Sequence, residues 1–194
     1  MLRYRGKITE VLINTHYLPD AVRKFIEVYN KQNTGTKLIE FYEEKLLGSG
    51  GTILVNRSFI ENEENFFVCY ADNLTNTDLS KMLEFHKKKQ SLLTMGLFHT
   101  NKPKECGIAA INDQQLIYNF VEKPINPKND LANAGIYVTD KTIFDYFPQN
   151  NFIDFGKDIL PNLVNKMYGY EIKDYLLDIG NLDNYQKAEE EWHQ

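Results

Sequence analysis

Asn65-Phe-Phe-Val-Cys-Tyr-Ala-Asp72-Asn-Leu-Thr-Asn-Thr-Asp78-Leu-Ser-Lys-Met-Leu-Glu-Phe-His86-Lys-Lys-Lys89 is the stretch that decides the fold. Its short apolar run, Phe66 to Ala71, has the length and composition of a strand buried on both faces. The run stops at a carboxylate, Asp72. A polar loop follows, then a helical pattern that sets Leu79, Met82, Leu83 and His86 on one face. Strand, loop and helix make the unit of an α/β sheet, in which ligands bind just beyond the carboxyl ends of the strands. At such an end Asp72 can hold a divalent cation or a ligand hydroxyl. It can equally cap the helix or close a turn.

Working outward, the same alternation continues. Ile8 to Asn14 reads as a strand. Pro19 suits a first helical turn, with Val22, Phe25, Ile26 and Tyr29 repeating at helical spacing. Lys37 to Tyr42 is a second strand, followed by Gly48-Ser49-Gly50-Gly51 and a helical stretch from Thr52 to Arg57. This spacing predicts a mostly parallel open sheet with right-handed crossovers, flanked by helices. Beyond the opening stretch, Leu92 to Phe98 is strand-like. Cys106 to Ile111 and Leu116 to Val121 form a hairpin across Asn112-Asp113. Asn133 to Thr139 is another strand, and Thr142 to Tyr146 and Lys157 to Val164 are helical. Glu171 to Leu177 is extended and ends at Asp178, before a last helix capped by Asn181, with Leu182, Tyr185, Ala188 or Glu189, and Trp192 inward. No repeat or linker divides residues 1–194, so one domain is expected.

Composition narrows the function. At 194 residues, 42% hydrophobic and 25% charged, the chain can bury a sizeable core and is not disordered. A net charge of −5 offers no basic field for nucleic acid. Lys87-Lys88-Lys89 falls at a helix end, where it complements the helix dipole. No apolar run approaches the ~20 residues that span a membrane, and the N-terminus lacks signal-peptide features. Cys69 and Cys106 read as buried reduced thiols. A cytoplasmic protein is expected.

Four clusters can carry chemistry. Gly48 to Gly51 at a strand-to-helix turn can admit a ligand close to the backbone, or simply turn. They form neither a P-loop nor a dinucleotide fingerprint. Glu122-Lys123-Pro124 offers a cation for a phosphate and a carboxylate for sugar hydroxyls, or an exposed ion pair of little consequence. Asn133-Ala-Gly135 offers an amide beside open backbone, or a turn. Asp178-Ile-Gly180 supplies a second carboxylate at the end of an extended segment. Two aspartates from separate segment ends can share one Mg²⁺, completed by substrate phosphates and water.

In their order these pieces resemble the sugar-1-phosphate nucleotidyltransferases, or sugar nucleotide pyrophosphorylases. The resemblance is carried by Val11 to Leu18, Leu47-Gly-Ser-Gly-Gly51, Asp72 with Leu79 to His86, Val121-Glu-Lys-Pro124, Asn133-Ala-Gly-Ile-Tyr137, Phe155 to Pro161 and Asp178-Ile-Gly180. It implies a Rossmann-like sheet of the nucleotide-diphospho-sugar transferase type. It also implies Mg²⁺-dependent transfer of a nucleotidyl group from an NTP to a sugar 1-phosphate, yielding an NDP-sugar and pyrophosphate. Asp72 and Asp178 would hold the Mg²⁺ and Lys123 the sugar phosphate, these three being the catalytic set. Glu122, Asn133, Gly135 and Glu43 would grip the sugar, and Gly48, Ser49, Gly50 and Gly51 would lie against the base. The Leu-Gly-Ser-Gly-Gly form resembles guanylyl-transferring members acting on mannose or heptose phosphates, which favours GTP.

The family's first strand, its Gly-x-Gly-Thr-Arg-Leu triphosphate loop and its Lys-Pro pair have no counterpart here. The expected fold is therefore N-terminally truncated, and Met1-Leu-Arg does not replace the loop. The missing unit could come from a partner chain, and an exposed sheet edge could support a homo-oligomer. The alternative reading is a catalytically inactive homologue that binds a nucleotide, a sugar phosphate or a partner subunit.

Overall fold

A computed structural model describes residues 8–192. The expectations that concern Met1-Leu-Arg lie outside the described residues.

The first unit is β1 (Glu10–Thr15), α1 (Pro19–Lys31) and β2 (Lys37–Tyr42). The strands pair in parallel, Glu10 opposite Lys37 and Thr15 opposite Tyr42. Pro19 opens α1, where its missing N–H costs nothing, and Asp20 complements the dipole. Next come α2 (Gly48–Val55), β3 (Phe66–Cys69), β4 (Asn73–Thr75) and α3 (Leu79–Lys89). Asp78 caps α3 by accepting the Ser80 amide at 2.9 Å, and His86 and Lys87 to Lys89 fill the last turn.

β5 (Leu93–His99), β6 (Gly107–Ile111), β7 (Ile117–Glu122) and β8 (Leu131–Thr139) follow without an intervening helix. Short 3-10 and π turns then lead to β9 (Met167–Glu171), β10 (Leu176–Asp178) and α4 (Leu182–Glu191). Asn181 caps α4 as expected, its Oδ1 accepting the Asn184 amide at 2.9 Å. Its inner face is smaller than expected, since Ala188 is buried while Leu182 and Tyr185 stay exposed.

The main sheet runs β7-β6-β8-β5-β9, with β3 also paired to β8. It is an α/β sheet flanked by helices, but it is mixed rather than mostly parallel. β5 and β9 are parallel, whereas β8 runs antiparallel to β3, β5 and β6. The cause is the hairpin between β5 and β8: with no helical crossover, the chain returns in the opposite direction. β5 and β8 are buried almost throughout because both sheet faces are covered. Leu79 and Met82 of α3 pack with Ala134, Ile136 and Val138 on one side. Tyr137, Phe155, Ile159 and Leu163 pack with β5 and β9 residues on the other.

This topology gathers the candidate residues. The reversed β8 places its start beside the ends of its neighbours, with Leu97 opposite Asn133. β6 meets β8 there, Ile108 opposite Ala132, and its partner β7 sets Glu122 opposite Gly107. The antiparallel β4–β10 ribbon sets Asp178 opposite Asn73, one residue beyond Asp72. Both cysteines are free; Cys69 is exposed by residue surface, yet burial around its sulfur pushes its thiol up to about 12, and Cys106 is half-buried.

Candidate active site at the strand ends

Asp72 and Asp178 converge on Gly180. A side-chain carbon there would stand 2.9 Å from Asp178 Oδ1 and 3.2 Å from Asp72 Oδ2. Two backbone bonds hold the arrangement: the Ile179 amide donates to the Asp72 carbonyl at 2.8 Å, and the Gly180 amide to Asp178 Oδ1 at 2.7 Å. Both aspartates are exposed, so the carboxylates face solvent. Glycine at 180 leaves open the space between them.

A second pair of acids is half-buried nearby. Glu122 Oε2 lies against Gly107 and Gly156, 2.5 and 2.9 Å from where their side chains would begin. Burial, and then the Asp154 charge, push the Glu122 carboxyl above its ordinary range, against Lys123 and Lys157. Asp154 Oδ1 accepts the Lys157 amide at 2.9 Å. Lys123 has a left-handed backbone, φ 47°, and its amide donates to the Cys106 carbonyl at 3.1 Å. A lysine held so at a strand end is a strained residue of the kind found in ligand sites. Burial pushes the Cys106 thiol up; Thr100 opposes the shift, and Glu105, Asp178 and Glu122 add to it.

Asn133 stands at the β8 end of the cluster. Its Nδ2 donates to the Tyr137 hydroxyl at 2.7 Å, and its Oδ1 accepts the Gly135 amide at 3.0 Å. Gly135 has φ +64°, and a side chain there would strike Asn73 Nδ2 and the Tyr70 ring. Asn73 Nδ2 donates to the Ala134 carbonyl at 3.0 Å, tying the β4–β10 ribbon to β8.

The glycine segment is partly engaged within the chain. The Gly50 and Gly51 amides donate to the Ile153 carbonyl at 2.8 and 3.1 Å, so they are engaged within the chain. Ser49 Oγ accepts the Phe155 amide at 3.0 Å. Glu43 is buried, and its carboxylate accepts from the Leu47 amide at 3.2 Å and from the Thr52 hydroxyl, bracing the start of the glycine segment. A buried carboxylate needs such donors, and the nearest are in its own loop.

The sequence reading passed over Asp154, Tyr70 and Tyr137 as site residues. Asp154 carries a local signal, an acid opening a helical turn at Asp-Phe-Gly-Lys. The two tyrosines look like core aromatics, distinguished by the Tyr137 hydroxyl accepting from Asn133 and the Tyr70 ring against Gly135.

Comparison with known proteins identifies the family. The model of the nucleotidyl transferase family matches residues 2–194. The glucose-1-phosphate adenylyltransferase of Clostridium acetobutylicum is 33% identical over 204 residues, covering 93% of this chain and 54% of that protein. That of Clostridioides difficile is 34% identical over 155 residues, covering 73% of this chain and 40% of that protein. The mannose-1-phosphate guanylyltransferase of Mycobacterium tuberculosis is 26% identical, covering 93% and 51%. The chain thus spans about half the length of the curated relatives it matches. Among solved structures, HddC from Yersinia pseudotuberculosis superposes with a TM-score of 0.77 at 24% identity, covering 95% of this chain and 79% of that one. With the family matched along almost its whole length, the chain belongs to the nucleotidyl transferases, among the sugar-1-phosphate nucleotidyltransferases.

Proposed function

We propose that this chain carries the transfer site for joining an NTP to a sugar 1-phosphate. The sugar-phosphate oxygen forms a bond to the α-phosphorus while the α–β bridging bond breaks, and pyrophosphate leaves. Such chemistry depends on positioning and charge neutralisation more than on a protein nucleophile.

The observation that carries this reading is the convergence of Asp72 and Asp178 on Gly180. Two carboxylates with open space between them fit Mg²⁺, which keeps water and substrate oxygens as its other ligands. When bound, Mg²⁺ would neutralise charge on the phosphates. Lys123 neutralises the sugar phosphate, and Glu122 and Asp154 accept hydroxyls of the sugar. Asn133 and Gly135 shape the sugar end through Tyr137 and Tyr70. Gly48 and Ser49 are left to meet the base, since the next two amides are engaged with Ile153.

We favour a guanine base from the Leu47-Gly-Ser-Gly-Gly51 form, and HddC has been solved with GMP-PN. Relatives of higher identity are adenylyltransferases, so ATP is the necessary comparison.

The test is binding of ATP and GTP, each with Mg²⁺ and with chelator, to the wild type, Asp72→Asn and Asp178→Asn. Altering groups one shell further from a metal commonly costs about 10–100-fold in affinity, so each variant should lose at least that in Mg²⁺-dependent affinity. Melting temperatures should stay unchanged, because both side chains are exposed. Undiminished metal-dependent affinity in both variants would remove the basis of this assignment.

A further inference from the structure

We propose that Glu43 is a positioning residue for the nucleotide: its carboxylate holds the start of α2 so that the Gly48 and Ser49 amides stay presented to the base. This rests on the preceding reading, in which that segment meets the nucleotide, and it names the residue that sets the segment's shape.

An α-helix opens with amides that have no partner inside it. The start of α2 disposes of them unequally. The Leu47 amide donates to Glu43 Oε2 at 3.2 Å, and the Gly50 and Gly51 amides donate to the Ile153 carbonyl at 2.8 and 3.1 Å. Among the described residues, the Gly48 and Ser49 amides donate to no group. These two are the pair left for a ligand.

Glu43 holds the segment that carries them from both ends. Oε2 takes the Leu47 amide just before the glycines, and Oε1 takes the Thr52 hydroxyl just after them. The same hydroxyl lies 3.1 Å from the Gly48 carbonyl. Glu43 is itself fixed to the end of β1: its amide donates to the Thr15 carbonyl at 2.8 Å, and its carbonyl accepts from His16 Nδ1 at 2.8 Å. The residue is 3% exposed, so bulk water does not replace a lost partner. Glycine backbone has the most freedom to lose on ordering, and Gly48, Gly50 and Gly51 lie inside this grip. A segment ordered before the ligand arrives binds it more tightly than one ordered by it.

Glu43→Ala removes both grips, and Glu43→Gln keeps them. The glutamine oxygen can accept the Leu47 amide while its NH₂ donates to the Thr52 hydroxyl, whose own proton then goes to the Gly48 carbonyl. Binding of Mg²⁺ with GTP, of Mg²⁺ with ATP and of mannose 1-phosphate to the wild type and both variants tests the role. Glu43→Ala should weaken nucleotide binding about tenfold or more, the scale of two lost hydrogen bonds, and bring the GTP and ATP affinities closer together. Glu43→Gln should return both to within about threefold of the wild type, the scale of a weakened hydrogen bond. Mannose 1-phosphate affinity should not change. A parallel fall in all affinities with the GTP/ATP ratio kept would be general loosening of the fold and overturns the proposal. A fall for mannose 1-phosphate alone also overturns it and assigns Glu43 to the sugar.

Hydrogen exchange on the ligand-free chain is the second arm. The Gly50 and Gly51 amides, which bond Ile153 and not Glu43, should exchange about fivefold faster in Glu43→Ala and at the wild-type rate in Glu43→Gln. The Met95 and Val138 amides should stay unchanged. Unaltered exchange at Gly50 and Gly51 overturns the proposal. If the wild type binds neither nucleotide while these exchange effects hold, the proposed function fails and the grip of Glu43 on the segment stands. Should Glu43→Ala fail to fold, Thr52→Val removes one grip and should give the same two effects at about threefold each.

Discussion

His86 is 3% exposed at the end of α3, with Nδ1 3.0 Å from Thr94 Oγ1 and Nε2 3.4 Å from Asn65 Nδ2. Asn65 Oδ1 is buried with no partner among the described residues. Exchanging the two ends of that amide lets Oδ1 accept an Nε2 proton, which fixes the imidazole tautomer. Burial lowers the His86 pKa; Asp140 opposes the shift and Lys87 adds to it. The folded state therefore prefers the neutral ring. Its contribution is complete above the unfolded value of about 6.5 and is lost as pH falls from there through the lowered folded value. The melting temperature should drop between pH 7.5 and 5.5, and His86→Gln should flatten that slope; an equal slope in both would assign the effect to another group. At this scale the sequence was informative where a charge ends an apolar run. Asp72 and Asp178 could be named because a carboxylate after a strand stands out. The internal engagement of Glu43 was not legible, because its partners are a backbone amide and a hydroxyl, which no side-chain pattern announces.

α2 shows how an element can form against its own propensity. Gly48, Gly50 and Gly51 are poor helix formers, so the sequence placed the helix later, from Thr52. Tertiary bonds from Gly50 and Gly51 to Ile153, and the Glu43 carboxylate on Leu47 and Thr52, begin it at Gly48 instead. Gly48 has φ +79°, and an added side chain would overlap the Ile153 carbonyl. Gly48→Ala should therefore cost about 2–4 kcal/mol, combining the left-handed backbone and overpacking. Denaturant unfolding at unchanged m-value measures it, and a loss below ~1 kcal/mol would mean that the Ile153 strand of chain yields easily. By contrast, α3 was legible at both ends, because Asp78 and the lysine run act through local bonds and the dipole. β9 was missed: its burial alternates across small and aromatic residues, and its place is set by pairing with distant β5.

Across the whole molecule, stability should be uneven. β5 and β8 bury nearly every residue between two covered faces. In the β1–α1–β2 unit, Thr15, Ile26 and Leu38 are buried, while Phe25 and Val28 of α1 are 57% and 51% exposed. The unit has its own ties, Arg23 to Glu40 at 2.8 Å and Thr15 to Glu40 at 2.6 Å, but such part-exposed pairs add little. Among the described residues β1 and β2 form a sheet of their own, separate from the six-stranded one. The strand-helix alternation that identified the fold is thus equally readable in both regions, yet their packing differs, because pattern reports which face is apolar and not what covers it. Opening free energy follows buried apolar contact, so β1 and β2 should open well below the global transition. Native-state exchange should give Leu12 and Ile39 amides a lower opening energy, with a smaller denaturant dependence, than Met95 and Val138. Equal values at all four would make the chain one cooperative unit, in which the loop through Glu43 transmits the stability of the larger sheet to the smaller.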